Sequence, residues 1–274
     1  MKDFLLLNLD RVVSIAVQAG MEIMQVSQRD FELDYKNDGS PLTEADKRSH
    51  AHIIRSLMEL TPAIPILSEE SSSIQWAERK KWKRYWLVDP LDGTKEFLKK
   101  NGEYTVNIAL VEKGRPIWGV VHAPSLNLTY HGGILVNSSV KVLNKGRTKV
   151  IKVSTAPNMG DCWKIVGSRS HKSKEFAQFL KQFSNFELIE MGSSLKICLV
   201  AEGKADLYPR LGLTSEWDTA AADAILRGAG GYCLQVPTMG ELEYNSKSSI
   251  LNPYFICCSQ PSSSWSESFH SLDL

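Results

Sequence analysis

The sequence lacks any apolar run that approaches the roughly 20 residues a helix needs to span a bilayer. Its first residues contain a short leucine cluster that Asn8 and Asp10 interrupt, which is not typical of a secretory signal peptide. No repeat with a period of about 20–50 residues is visible either. We therefore predict a cytoplasmic protein with neither a transmembrane segment nor a repeat array.

An excess of charge of one sign is also absent. The chain has 32 basic and 31 acidic residues, a formal net charge of +1. This balance argues against a nucleic-acid polymer as partner, because such binding depends on many cationic contacts to phosphate. A local cationic pocket for a small anion stays compatible with it. Cysteine is scarce as well: five residues form no C-x-x-C pair, which predicts buried free thiols in a reducing compartment.

Hydrophobic periodicity indicates two unlike halves in the 274 residues. Two amphipathic helices precede a run of strands with short turns, which predicts an antiparallel sheet packed on those helices. After a turn-rich junction at residues 137–158, strands alternate with helices, which favours an α/β arrangement. We therefore predict an α+β half at residues 1–150 and an α/β half at residues 151–274. The serine-rich stretch 259–274 carries no signal for a folded element.

The most informative stretch is the hexapeptide DPLDGT, which follows an apolar run predicted to be a buried strand. Asp89, Asp92 and the Leu91 carbonyl place oxygen ligands within one turn, as Mg²⁺ prefers. The N–H groups of Gly93 and Thr94 follow at the start of a predicted helix, where an anion can be held. An ordinary strand–turn–helix corner with Asp92 as N-cap explains these residues equally well.

Three further acids also have local explanations. Asp46 fits the acidic position of a capping pair with Thr43 at the start of a predicted helix. Glu69 is the first of two acids that follow a short strand, and such pairs usually belong to a solvated loop. Asp218 lies at the start of an alanine-rich helix. Taken singly, each acid is more simply a cap or a loop residue.

The order of these segments along the chain is more specific than any one of them. Glu-Glu after a short strand, then DPLDGT, then WDTAAA resembles the inositol monophosphatase superfamily of Mg²⁺-dependent, lithium-sensitive phosphatases. The resemblance covers about residues 1–258. It implies a layered αβαβα sandwich, α+β in its N-terminal part and α/β in its C-terminal part, with the active site between the two parts.

Five further segments narrow the resemblance. DGTKEF, NGEYTVNIAL, SRSH, GSSLK and ADLYPR look like those of bacterial 3′(2′),5′-bisphosphate nucleotidases. These relatives remove the 3′-phosphate from adenosine 3′,5′-bisphosphate, the by-product of sulfate activation, and the resemblance extends to the sulfated analogue. Lys95 and Lys196 favour this nucleotide, because inositol phosphatases usually have other residues there. The alternatives are an inositol or other sugar monophosphatase and a nucleotide-binding sensor without turnover.

The resemblance also implies a set of metal ligands. Glu69, Asp89 and the Leu91 carbonyl would hold one Mg²⁺, and Asp89, Asp92 and Asp218 a second, so that Asp89 bridges. A third, weaker ion would lie near Glu69. Two such cations can stabilise the attacking and the leaving oxygen of an in-line displacement.

The resemblance assigns the remaining roles as follows. Asp46 and Thr94 would orient and help deprotonate the attacking water, with Glu69 as a third catalytic residue, so none of the histidines is needed as base. Lys196 and Arg210 are among the predicted substrate contacts given below, and the alternative for both is a surface salt bridge.

The resemblance also bears on location and on the substrate contacts. Bacterial relatives also occur at the cytoplasmic face of the inner membrane. The predicted substrate contacts are Glu69, Leu91, Asp92, Gly93, Thr94, Ser170, His171, Ser193, Ser194, Lys196, Arg210 and Asp218.

Overall fold

The computed structural model describes residues 2–29, 33–35, 41–71, 73–143, 146–158, 160–169 and 173–272. Its N-terminal elements are α1 (Lys2–Ser27), β1 (Leu33–Tyr35), β2 (Pro41–Thr43), α2 (Glu44–Leu60), β3 (Ile66–Ser68), α3 (Trp76–Arg79), β4 (Arg84–Asp92), α4 (Thr94–Leu98), β5 (Thr105–Glu112), β6 (Arg115–Ala123), β7 (Leu128–Gly133), β8 (Ser138–Leu143) and β9 (Arg147–Ile151). The later elements are β10 (Trp163–Ser168), α5 (Lys174–Leu180), β11 (Phe186–Met191), α6 (Leu195–Ala201), β12 (Leu207–Arg210), α7 (Glu216–Gly228), β13 (Tyr232–Gln235), β14 (Phe255–Cys258) and α8 (Ser263–Ser266).

Strands β3 to β9 form a seven-stranded sheet in sequential order within the described part of the chain. Strand β3 runs parallel to β4, and each later pair of neighbours is antiparallel. The predicted meander is thus confirmed, except for its parallel first pair. Nearly all of β4 and β5 is buried, because helices cover both faces of the sheet.

The junction predicted at residues 137–158 is wrong, because β8 and β9 lie within it and extend the sheet. The pattern misleads because β8 turns polar side chains inward. The Ser139 hydroxyl donates to the Ile225 carbonyl (2.7 Å), and Lys141 forms a buried ion pair with Glu202 (2.6 Å). A strand that buries polar residues against polar partners lacks the alternation that identifies strands.

The second sheet has the order β11-β10-β12-β14-β13. Strand β10 runs parallel to β11 and β12, whereas β14 is antiparallel to β12 and β13. The carboxyl ends of β10 and β11 lie side by side, and the segments that follow them are the ones that carry the SRSH and GSSLK motifs. Ligands of α/β sheets bind at such ends.

The layers follow from three apolar clusters. The first joins α1 and α2 to the outer face of the seven-stranded sheet. The second joins α6 and α7 to the inner faces of both sheets, and the third packs α5 and α8 on the outer face of the five-stranded sheet. The predicted αβαβα sandwich is therefore confirmed. The division at residues 150 and 151 stays a prediction, since one apolar core contacts both sheets.

The C-terminal stretch is more ordered than its composition predicted. Trp265 and Phe269 are each 1% exposed and pack in the outer cluster of the five-stranded sheet. Residues 259–274 carry no local signal for a folded element, yet their described part is folded, because two aromatic side chains anchor it. Among the described helices, none is long and apolar enough to cross a membrane.

Candidate active site

A cavity of about 310 Å³ opens beside the end of β4, where the N-termini of α4, α6 and α7 approach one another. Acidic side chains contribute to its lining, and so do cationic ones. The lining residues that belong to the predicted site are Glu69, Asp89, Leu91, Asp92, Gly93, Thr94, Ser193, Ser194, Lys196, Arg210 and Asp218.

The DPLDGT turn is held by one hydrogen bond within the turn and one from α2. The Leu91 N–H donates to Asp89 Oδ1 (3.0 Å), and the Ser49 hydroxyl donates to the Pro90 carbonyl (2.7 Å). Gly93 adopts a left-handed conformation (φ 90°), which a side chain would strain, before α4 begins. The predicted strand–turn–helix is confirmed, but Asp92 is not its N-cap: Gly93 occupies that position, and α4 has only five residues.

Carboxylates converge beside this turn. One oxygen each of Asp89, Asp92 and Asp218 lie within 4.8 Å of one another, and Glu69 lines the same cavity. Burial, and then the charges of Glu69 and Asp92, raise the pKa of Asp89 well above its ordinary value. Burial, and next the charge of Asp92, raise the pKa of Asp218 to about 8.

The repulsion among these buried carboxylates indicates whether a divalent cation suits the site. Buried like charges are costly unless a counter-charge lies among them. The donors are carboxylate oxygens, which suit Mg²⁺ rather than a soft metal. The cluster therefore fits a hard divalent cation, and a cation would remove the repulsion that raises the pKa values of Asp89 and Asp218.

Asp46 lies one hydrogen bond behind the cavity. Its Oδ2 accepts from the backbone N–H (2.7 Å) and the hydroxyl (2.6 Å) of Thr43, and the capping box is confirmed. Thr94 Oγ1 lies 3.3 Å from Asp46 Oδ1 and 3.4 Å from the Leu91 carbonyl oxygen, and its hydroxyl can donate to either. The same carboxylate thus caps α2 and reaches a cavity residue.

A cationic flank faces the carboxylates. Lys196 is 8% exposed, its ammonium donates to the Ser193 carbonyl (2.6 Å), and burial lowers its pKa to about 8. The guanidinium of Arg210 donates to the Leu213 carbonyl (2.6 Å), and Lys95 is exposed on α4. Both Lys196 and Arg210 line the cavity, and Lys196 is buried rather than at the surface.

The two serines predicted to contact substrate have protein partners. The Ser193 hydroxyl donates to Asp92 Oδ2 (2.6 Å), and the Ser194 hydroxyl donates to Asn107 Oδ1 (2.8 Å). Sequence patterns did not assign a role to Asn107; the only signal was a polar residue within a predicted strand. Ser170 and His171, also predicted to contact substrate, lie outside the described residues.

Known proteins resemble this chain over most of its length. The sequence profile of the inositol monophosphatase family matches residues 8–265. A Salmonella typhimurium protein named 3′(2′),5′-bisphosphate nucleotidase CysQ is 46% identical over 252 residues, which cover 90% of this chain and 98% of that protein. The Escherichia coli K12 protein of the same name is 45% identical over 251 residues, with the same coverage.

Solved structures agree with the sequence comparison. The crystal structure of CysQ from Bacteroides thetaiotaomicron has a TM-score of 0.77 and 39% identity, covering 91% of this chain and 96% of that one. An IMPase of Thermotoga maritima has a TM-score of 0.68 over 92% of each chain, at 22% identity, and shares the fold. The profile match and these relatives together show that the chain belongs to the inositol monophosphatase family.

Proposed function

We propose that this protein is a Mg²⁺-dependent phosphomonoesterase of 3′(2′),5′-bisphosphate nucleotides, which converts adenosine 3′,5′-bisphosphate to AMP and phosphate. The observation that carries the proposal is one cavity that combines clustered carboxylates with the buried cation Lys196 and with Arg210. The carboxylates suit a divalent cation, and the side-chain cations suit a substrate with a second phosphate. The names of the two curated relatives described above support the same substrate class.

In this proposal the acids share two cations. Glu69, Asp89 and the Leu91 carbonyl would hold one, and Asp89, Asp92 and Asp218 would hold the other, with a third and weaker site near Glu69. Cations bound there would lower the pKa of a water and polarise the phosphoryl oxygens. Asp89 would contribute to both sets, in keeping with its 1% exposure and its place among Glu69, Asp92 and Asp218.

Thr94 and Asp46 handle the proton of the attacking water. When the Thr94 hydroxyl donates to Asp46 Oδ1, its oxygen can accept a hydrogen bond from a water in the cavity. As that water loses its proton, Thr94 can take the proton and pass its own to Asp46. The backbone of Gly93 and Thr94 lines the cavity and is assigned to the phosphate.

The second phosphate would lie at the cationic flank. Arg210 offers a guanidinium that can hold two phosphate oxygens at once, and Lys196 offers a point charge. Lys95 is exposed at the cavity and can reach the same phosphate. Ser170 and His171 keep their predicted role beside the nucleoside, and action on the sulfated analogue is part of the proposal.

A substrate panel tests the proposal. Purified protein with Mg²⁺ should release phosphate from adenosine 3′,5′-bisphosphate far faster than from inositol 1-phosphate. Lys196→Met keeps the buried stem and should raise KM for the bisphosphate about tenfold, because a charge-assisted hydrogen bond is lost. Its KM for inositol 1-phosphate should change less. The reverse substrate preference would refute the nucleotidase assignment and leave the cation site standing, whereas no release from either would refute the enzyme.

A further inference from the structure

Asp92 differs from the other acids of the cluster in the number of hydrogen bonds that one of its oxygens accepts. Oδ2 accepts from the Ser193 hydroxyl (2.6 Å) and from the Ser194 backbone N–H (2.6 Å), and the Asn107 amide lies 3.5 Å away. Among the described residues, the hydrogen bonds to this carboxylate all end on Oδ2. That leaves Oδ1 as the oxygen with which Asp92 can bind a cation.

The donors are themselves held by one threonine. Thr105 is fully buried on β5, and its hydroxyl lies within hydrogen-bond distance of Ser193 Oγ, Ser194 Oγ (2.9 Å) and Asn107 Oδ1 (3.1 Å). Each hydroxyl has a single proton. Ser193 and Ser194 give their protons to Asp92 and Asn107, so Thr105 is the donor toward each of its three neighbours and bonds one of them at a time. When its proton points to Ser193, a chain of hydrogen bonds runs from Thr105 through Ser193 to the carboxylate.

Asn107 completes the ring from the same strand. Its Oδ1 accepts the Ser194 hydroxyl (2.8 Å), which orients its amide nitrogen toward Asp92. Ser193 holds a left-handed backbone conformation (φ 55°), which is uncommon for a residue with a side chain. Such strain persists where surrounding contacts determine the conformation, and it occurs often at functional sites.

We infer that Thr105 and Asn107 are positioning residues that act through Ser193 and Ser194 to fix the Asp92 carboxylate for cation binding. Without such a network, repulsion from Asp89 and Asp218 would favour rotation of Asp92 away from the cluster. These hydrogen bonds order the Asp92 carboxylate before a cation binds, so that cation binding loses less conformational entropy. The network also gives the two serines, predicted as substrate contacts, a role at the cation end of the cavity.

Thr105→Val tests the inference, which rests on the proposed cation site. The substitution keeps the shape of the side chain and removes the hydroxyl. Dissociation constants for Mn²⁺, measured by electron paramagnetic resonance without substrate, should rise roughly 10–100-fold, the usual effect of losing a partner of a metal ligand. The Mg²⁺ concentration for half-maximal phosphate release should rise in parallel, while kcat at saturating Mg²⁺ falls less. Thr105→Ser should restore Mn²⁺ affinity.

Thr129→Val is the matched control. Thr129 is buried in the same sheet on β7, and its hydroxyl is hydrogen-bonded to His122 Nδ1 (2.9 Å) instead of a cavity residue. This variant should lose thermal stability like Thr105→Val but keep wild-type Mn²⁺ affinity. Should Thr105→Val not fold, Ser194→Ala removes the donor to Asn107 and should weaken Mn²⁺ binding severalfold.

The outcomes separate the two proposals. Wild-type protein that binds no Mn²⁺ would refute the proposed cation site itself. Wild-type binding together with unchanged affinity in folded Thr105→Val, or in Ser194→Ala, would refute the positioning role alone. Equal loss of affinity in Thr129→Val would also refute it, since any buried hydroxyl of the sheet would then have the same effect.

Discussion

Helices α2 and α7 both begin with an acid at the third helical position that accepts a hydrogen bond from the backbone N–H of the cap residue. Asp46 accepts the N–H of Thr43 (2.7 Å), and Asp218 accepts the N–H of Ser215 (2.9 Å). The two carboxylates differ in where they lie. Asp218 lies among other acids in the cavity, whereas Asp46 lies behind the cavity with Thr94 between.

This difference shows that capping does not decide what an acid does. A carboxylate has two oxygens, and a cap occupies one of them. The second oxygen of Asp46 is within reach of a hydroxyl that can relay a proton, which suits proton transfer. Burial, and next the charge of Asp92, raise the pKa of Asp218 to about 8, and its place among other acids suits a cation ligand. Four experiments test this contrast.

Asp218→Asn should have the largest effect of the four. The amide oxygen can still accept the Ser215 N–H, so the cap and the fold should persist, but the ligand loses its charge. We expect kcat/KM to fall on the order of 10³-fold or more, because several kcal/mol of transition-state stabilisation depend on the cation. Steady-state kinetics and Mn²⁺ binding measure both losses. Full activity with unchanged Mn²⁺ affinity would contradict the ligand role.

Asp46→Asn should distinguish the role of Asp46 from that of Asp218. The cap persists here as well, and proton acceptance is lost, so kcat should fall about 10²-fold, as for other general bases. Mn²⁺ affinity should stay at the wild-type value, because Asp46 does not belong to the carboxylate cluster. If Mn²⁺ affinity fell as far as in Asp218→Asn, the contrast between the two caps would be wrong.

The pH dependence of stability should follow the acid cluster. The raised pKa of Asp218 means that the folded, cation-free protein keeps a proton that the unfolded chain releases near pH 4. Proton binding by Asp218 therefore stabilises the folded state fully below about pH 4, and this contribution is lost as the pH rises toward about 8. We expect the Tm of the chelated protein to fall over this range and the increase in Tm on adding Mg²⁺ to grow. A Mg²⁺ effect independent of pH would contradict the account, and Asp218→Asn should flatten both trends.

Thr43→Val should have the smallest effect. It removes the hydroxyl that accepts from the N–H of Ala45 (3.2 Å) and donates to Asp46 Oδ2 (2.6 Å). The free energy of unfolding, measured in urea, should fall by about 1 kcal/mol, as for other lost N-caps. Because the Thr43 N–H still holds Asp46, kcat should change only severalfold. A loss of kcat as large as in Asp46→Asn would show that the cap itself sets the position of the base.

The sequence predicted the parts of the site that are local. The DPLDGT turn could be recognised because its oxygens and its helix start fall within six residues, and the capping pair of Asp46 because its partner is three residues away. The role of Asp46 beyond the cap required the family resemblance. The chain of hydrogen bonds from Thr105 to Asp92 could not be predicted. Thr105 and Ser193 are 88 residues apart, and they meet only where β5 and the start of α6 come together in the fold.

The errors in predicting the fold also arise from contacts between residues that are distant in sequence. Strand β8 was missed because it buries Ser139 against α7 and Lys141 against Glu202, the residue that follows α6. The C-terminal stretch was missed because its folding depends on Trp265 entering a cluster formed by distant residues. In both places tertiary partners supplied what the local pattern lacked.

The most direct test of the central claim is phosphate release from adenosine 3′,5′-bisphosphate as Mg²⁺ is titrated into chelated protein, wild type beside Asp89→Asn. Asp89 lies at the centre of the acid cluster, and its substitution removes the proposed bridging charge. We expect saturable Mg²⁺ dependence in the wild type and no measurable turnover in folded Asp89→Asn. Turnover in the chelated wild type, or turnover retained in Asp89→Asn, would contradict the account.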